Sequence, residues 1–228
     1  MKREDLDELH YICPIVNVAS IMQNGILSHN RAMRVNHESV AKQEIQDRRK
    51  GKRVPGGLLL HDYVNLYFCS RNPMMYLRHD QHLGLCVLMV SPSVLDLPGA
   101  VATDQNAASD YVRFKPALAG LVDIDKERVF ADSWKHPDDQ KEEWRHKSAM
   151  CAEVLVPGRV DQQLINGGYV SCEESRAKLQ RIAPTLPTRL NPRLFFFANG
   201  GVAWYGFSLA IFLSQRPKHL SIPSTVSV

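Results

Sequence analysis

At 228 residues, 44% hydrophobic and 23% charged, the chain can bury a full core without metal or disulfide staples, which excludes a disordered polypeptide and a stapled mini-protein. A formal net charge of +4 permits contact with a polyanion without demanding it, because local clustering of charge decides more than the sum. Five scattered cysteines (Cys13, Cys69, Cys86, Cys151, Cys172), mostly among apolar residues, read as buried free thiols of a reducing compartment. None has zinc-site spacing, and no metal is expected.

Met1 to Glu8 is too acidic and polar for an export signal, which points to the cytoplasm. Leu9 to Cys13 reads as a first strand, ended by Pro14. In the helix that follows, Asn17 is expected to N-cap, Val18, Ile21 and Met22 share a face, and Gly25 closes the C-terminus. This βα unit sets His10 and Tyr11 where a ligand could be met; for His10 the alternative is a hydrogen-bonded core histidine. From His29 to Gly57 the chain becomes basic (Arg31, Arg34, Lys42, then Arg48 to Arg53), with a helix expected over Ser39 to Arg49. Such a run marks a solvated surface or a contact with phosphates, whose oxygens accept the forked hydrogen bonds of guanidinium groups.

His61 to Phe68 alternates as a strand, and Ser70 to Pro73 turns it into Met74 to Leu77. Gly84 to Val90 is a continuous apolar run, as expected of a central strand covered on both faces. Thr103 to Ala108 is a polar loop or helix start. Asp132 to Lys147 interleaves aromatics with cations (Trp134, Lys135, His136, Trp144, Arg145, His146). It is either a surface on which single-stranded bases stack or a surface helix with both tryptophans inward.

Cys151 to Pro157 is the most informative stretch. Period two sets Ala152, Val154 and Val156 on one face and Glu153 on the other, inside an apolar run. An unpaired carboxylate there costs several kcal/mol or takes up a proton, so Glu153 should meet a cation, a donor or a ligand, unless it faces water at a strand edge. Beyond it come a turn or short helix over Val160 to Ile165, a turn and short strand over Gly167 to Val170, a helix over Glu173 to Arg181 and a last strand over Arg193 to Phe197. Short strands interspersed with helices indicate an α+β fold with mixed sheets. Leu194 to Leu213 carries no charge and is about the ~20 residues of a membrane span, yet Asn199-Gly200-Gly201 interrupts it. With Leu194 to Phe197 used as a strand, Val202 to Leu213 is too short to cross, so no obligatory membrane contact is expected.

Several pieces, in this order and spacing, resemble the DarT family, the DNA ADP-ribosyltransferase toxins of bacterial toxin–antitoxin pairs. They are His10-Tyr11-Ile12 with its helix, Arg48-Arg49, His61-Asp62-Tyr63-Val64 through Tyr67-Phe68, Arg71-Asn72-Pro73-Met74-Met75-Tyr76, Thr103-Asp104 with Asn106-Ala107, and Ala152 to Pro157. The resemblance covers residues 1–199 and leaves 200–228 as a tail. It implies an ADP-ribosyltransferase-like fold with two facing mixed or antiparallel β-sheets around an NAD cleft. The implied reaction moves ADP-ribose from NAD to a thymidine base in single-stranded DNA and needs no metal. Glu153 corresponds to the catalytic glutamate, and Arg48 or Arg49 to an arginine that contacts NAD and helps activate the base. His10, Tyr11 and Ile12 grip the nicotinamide end, and Ala19 and Leu27 belong to the same NAD site. Trp134, His136, Trp144 and Arg145 would meet the DNA, and a macrodomain antitoxin would be the partner. The alternatives are another acceptor (guanosine, RNA, protein or water) and an inactive nucleic-acid-binding module.

Overall fold

Most of the short apolar runs become strands of one long sheet. A computed structural model describes residues 1–39 and 43–197. Its strands are β1 (Leu9–Pro14), β2 (Ile26–Leu27), β3 (Tyr63–Tyr67), β4 (Leu85–Val90), β5 (Val101–Thr103), β6 (Phe114–Pro116), β7 (Glu153–Pro157), β8 (Arg159–Val160), β9 (Ile165–Val170) and β10 (Thr188–Leu190). The helices among the described residues are α1 (Val18–Asn24), α2 (His29–Ala32), α3 (Gln43–Lys50), α4 (Pro73–Tyr76), α5 (Ala117–Gly120), α6 (Lys126–Val129), α7 (Gln140–Ala149) and α8 (Glu173–Ile182). The large sheet has the order β10-β9-β4-β1-β3-β7-β5-β6, and β2 pairs with β8 apart from it. Strand β10 runs parallel to β9; β1, β3, β4, β5 and β7 pair with their neighbours antiparallel.

The sheet is nearly two. Strand β1 pairs with β4 from Leu9↔Val90 to Pro14↔Leu85, and β3 pairs with β7 from Tyr63↔Pro157 to Tyr67↔Glu153. Between β1 and β3 the ladder holds at one pair, His10↔Tyr67. Two four-stranded halves thus meet at a single point, which is the form the expected pair of sheets takes here.

Strand β4 is buried along its whole length, as its unbroken apolar run predicts. Cys86, Leu88 and Val90 join the main core with Val18, Ile21 and Leu179, while Leu85 and Val87 enter a second cluster with Ile12, Tyr67, Met75 and Phe195. Each fully buried side chain of this size contributes roughly 1.5–3 kcal/mol, so covering both faces of β4 anchors the sheet.

Some local expectations change. Asn17 does not cap α1, because Ile15–Asn17 is already a 3-10 turn and Asn17 has helical angles rather than the extended ones a cap needs. Its amide instead bonds the Glu38 backbone both ways, at 2.7 and 2.9 Å. The strand expected from His61 starts at Tyr63, after a 3-10 turn over Leu60–Asp62. Gly167 lies in strand β9 rather than in a turn: a Cβ there would sit 2.3 Å from Met89 Cε and 2.6 Å from the Pro187 carbonyl, so only glycine lets β10 approach. The last strand expected over Arg193 to Phe197 is instead a 3-10 turn, Pro192–Phe195. Proline opens it without an N–H to give to a ladder, and Phe195 plugs the second cluster. The strand role falls to Thr188–Leu190. Helix α3 starts at Gln43, and residues 40–42 and the tail from Ala198, with the Val202 to Leu213 stretch, lie outside the described residues. Among the described residues no helix is long and apolar enough to cross a membrane.

Cys13 and Cys86 face each other across β1 and β4 with their sulfurs 3.6 Å apart, and their contact and burial push the Cys13 thiol well up. Burial, with the Glu153 charge beside it, pushes Cys151 up to about 12. At half-buried Cys172 burial is outweighed by hydrogen bonds from the Ser175 hydroxyl and the first amides of α8, and the thiol lies below its ordinary value. Iodoacetamide on the native protein should therefore label Cys172 first, with the other four thiols reacting only in denaturant, as peptide mass mapping would show. Gly25 closes α1 at φ 77°, and a Cβ there would stand 2.3 Å from the Val160 carbonyl oxygen. Gly25→Ala should cost about 1–3 kcal/mol, read as a fall in Tm of roughly 2–4 °C per kcal/mol.

Candidate active site

Strand β7 divides its side chains as period two requires. Ala152, Val154 and Val156 enter the main core, and Leu155 packs on the other side with Val54, Leu60, Tyr63 and Ala107. Glu153 shares the side of Leu155 and is 0% exposed, so it is not an edge residue facing water. Arg49 Nη1 donates to Oε1 at 3.0 Å and more weakly to Oε2 at 3.4 Å, and the Ala107 amide donates to Oε1 at 2.8 Å. The buried acid thus has a cation and a backbone donor.

The polar loop after β5 supplies that amide. Thr103 Oγ1 accepts the Glu153 N–H at 3.2 Å and donates to the Gln105 carbonyl at 2.8 Å. The Asn106 side chain accepts from the Ala108 amide at 2.8 Å, and the turn so fixed brings Ala107 N–H onto the carboxylate. Helix α3 supplies the cation. Successive residues of an α-helix point about 100° apart, so one member of Arg48-Arg49 faces the sheet. Arg49 does, at 7% exposure, while Arg48 is 62% exposed and bonds Glu44 one turn earlier at 2.9 Å. Burial works to lower the pKa of Arg49, but the charge and hydrogen bond of Glu153 outweigh it and hold the guanidinium above its usual value.

The register lines up a row on this face: Met89, His10, Tyr67, Glu153 and Thr103 are opposed strand by strand. Directly opposed residues share a face of the sheet. The His10 ring is fixed at both nitrogens. The Ser70 amide donates to Nδ1 at 3.0 Å, so Nδ1 carries the lone pair and Nε2–H donates to Glu8 at 2.9 Å. His10 is thus a hydrogen-bonded histidine within the site row. Ile12 lies buried on the same side, whereas Tyr11 turns to the main core. Ala19 is exposed on α1, and Leu27 is half-buried on β2 opposite Arg159.

The aromatic segment splits. Trp134 is buried against Tyr76 and Phe196, with ring centroids 5.4 and 6.1 Å away, and offers no face to a base. His136 is held 2.9 Å from His146, whose other nitrogen donates to the Arg128 carbonyl at 3.1 Å. Trp144 is 62% exposed and, with exposed Arg145, lines an open groove of about 860 Å³. Tyr111, Arg113 and Lys141 line it too, and sequence reading passed over them because they lie in or outside the run without a recognisable pattern. The Ala107 amide was equally invisible, since a backbone donor has no side-chain signature.

The family model described as "ssDNA thymidine ADP-ribosyltransferase, DarT" matches residues 10–197, from the His10 strand to the Phe195 plug. The chain belongs to the DarT family. A Thermosipho africanus protein described as a DNA ADP-ribosyl transferase–DNA ADP-ribosyl glycohydrolase fusion is 31% identical over 201 residues, 84% of this chain and 50% of the relative. The chain therefore spans half the length of that relative. A DNA ADP-ribosyl transferase of a Thermus species is 29% identical over 198 residues, 82% of this chain and 91% of the relative. The solved structure of Thermosipho africanus DarTG in complex with ADP-ribose superposes with a TM-score of 0.73 at 29% identity, over 85% of this chain and 52% of that one.

Arg49 and Glu153 should prove strongly coupled. Either single change, Arg49→Met or Glu153→Leu, leaves a buried uncompensated charge and should cost about 3–5 kcal/mol. The double variant should recover most of that loss, as a urea-unfolding double-mutant cycle would read.

Proposed function

We propose that this DarT chain transfers ADP-ribose from NAD to a thymidine base of single-stranded DNA at the Glu153–Arg49 pair. The observation that carries the reading is the asymmetry of the buried carboxylate. Oε1 is saturated by Arg49 and Ala107, while Oε2 has only the long 3.4 Å contact and keeps lone pairs free for a sugar hydroxyl. That fits a ribose donor. When bound, NAD supplies the ADP-ribosyl group and the nicotinamide leaving group.

Glu153 accepts a ribose hydroxyl at Oε2, orienting the sugar, and its charge favours the positive charge that builds as the glycosidic bond breaks. Oε1 is kept in place by its two donors, so the carboxylate is set before the substrate arrives. Arg49 stays protonated and is no proton acceptor; its remaining N–H groups stabilise the anion that the base presents once its ring proton is lost. His10 and Ile12 shape the nicotinamide end of the row. Arg48, out on the solvent side of α3, contributes to the electrostatic approach of DNA.

The groove at Trp144 and Arg145 is the proposed track for the flanking nucleotides. Tyr111 and Trp144 offer stacking faces, and Lys141 and Arg145 offer charge for phosphates, whereas Arg113 and Arg128 are partly neutralised by Asp104 and Asp125. Trp134 and His136 hold the segment from within. A partner that reverses the mark, a macrodomain antitoxin, fits this reading, since the Thermosipho relative joins transferase and glycohydrolase in one chain. The protein would then act as the toxin of a pair, in the cytoplasm where its DNA lies.

Incubation with NAD and a pool of single-stranded oligonucleotides should yield an ADP-ribose adduct on thymidine by mass spectrometry, absent with Glu153→Ala. Nicotinamide release without a DNA adduct would transfer the reading to another acceptor, and neither product from folded protein would overturn it. Trp144→Ala should weaken oligonucleotide binding by about 1–3 kcal/mol per unstacked base while NAD binding is kept.

A further inference from the structure

Arg78 is a second arginine driven into the interior, and unlike Arg49 it has no counter-ion. It follows α4 and is 7% exposed, and its one side-chain hydrogen bond runs from Nη1 to the Met74 carbonyl at a long 3.3 Å. Among the described residues no carboxylate forms an ion pair with it, and Asp80 acts only at longer range. Five N–H donors with one weak acceptor is an expensive arrangement, because a buried charge costs several kcal/mol unless it is paired. Burial holds the Arg78 pKa below the usual value, in contrast to Arg49.

The location of the charge is fixed. Asn72 caps α4 by accepting from the amides of Met74 and Met75, and Met75 is fully buried against Ile12 and Tyr67. The Arg78 amide donates to the Met75 carbonyl at 2.9 Å, so the turn carrying Arg78 is locked on the face that bears the site row. The Tyr67 phenol senses both Arg49 and Arg78, and Tyr67 lies opposite Glu153 in the ladder. Two guanidinium groups therefore flank one tyrosine, and only one of them is neutralised.

We infer that Arg78 anchors a phosphate subsite beside the Glu153–Arg49 pair, filled by a phosphate of a substrate. A planar, permanently charged fork suits phosphate oxygens, and a bound anion would supply the counter-charge the protein lacks. Two phosphates could come here: the pyrophosphate of the dinucleotide and a phosphodiester of the DNA. Those two sources rest on the transferase reading; the unpaired charge does not.

The test uses the full chain with Arg78→Met, which keeps length and apolar stem but removes the charge, and Arg78→Lys, which keeps the charge but not the fork. Equilibrium binding of ADP-ribose, adenosine and an oligothymidylate is measured by calorimetry and anisotropy, without turnover. Arg78→Met should keep or raise Tm and weaken one phosphate ligand at least tenfold, with Arg78→Lys in between. Weakened ADP-ribose with unchanged adenosine assigns the pyrophosphate. Weakened oligonucleotide, with the slope of log K against log salt shallower by about 0.7, assigns the DNA backbone. Unchanged affinities in folded Arg78→Met overturn the inference, as does a fall in Tm with no binding loss beyond the unfolded fraction. Failure of the transferase reading would show separately, as no DNA adduct from the parent protein.

Discussion

A carboxylate with no access to water organises this molecule. Glu153 lies in a strand whose neighbours are apolar, and its charge is tolerated because Arg49 and the Ala107 amide reach it. Each partner imposes a demand on a distant segment. Helix α3 must present Arg49 and not Arg48, and the loop after β5 must turn sharply enough to aim a backbone N–H. The pair is a weak source of stability relative to a well-packed apolar core. Its retention makes sense as preorganisation, with one carboxylate oxygen spent on the protein and the other left for a ligand.

The sheet turns this pair into a site. His10, Tyr67, Glu153 and Thr103 come from four strands of different sequence position, and the antiparallel register sets them in one row. The row crosses the point where β1 and β3 share a single pair, so the two halves of the sheet part beside the reacting groups. Strand β4, buried on both faces, holds one half rigid, and β7 holds the other. The chemistry therefore sits at the junction of two firm units and not on a loose loop.

Much of this was legible in the sequence because period and burial are local properties. The faces of β7, the fully covered β4, the Gly25 stop and the need for a partner at Glu153 all follow from residues read in place. What failed depended on partners far along the chain. Arg48 and Arg49 differ by one helical step, and only the direction of the sheet decides between them. Trp134 and Trp144 look alike in a charged run, yet one meets Tyr76 and Phe196 and the other meets solvent. The Leu194 to Phe197 run has strand composition, but Pro192 and a hole in the second cluster make it a plug. The pairings of β2 with β8 and of β10 with β9 involve two or three residues each, too few to leave a period. The active-site motifs were legible as a family resemblance before any one of them could be explained physically.

Arg49 and Glu153 are separated by 104 residues, and β7 is inserted between β3 and β5. A chain growing from a ribosome therefore displays its basic helix and its first strands long before the acid that completes them. Until the strand ending at Pro157 has emerged and threaded between its neighbours, the right half of the sheet is open and the arginine has no carboxylate. Incomplete translation products lack the reacting pair altogether. For an enzyme that marks its host's own DNA, catalytic competence arrives late in synthesis and all at once, so that fragments are harmless by construction.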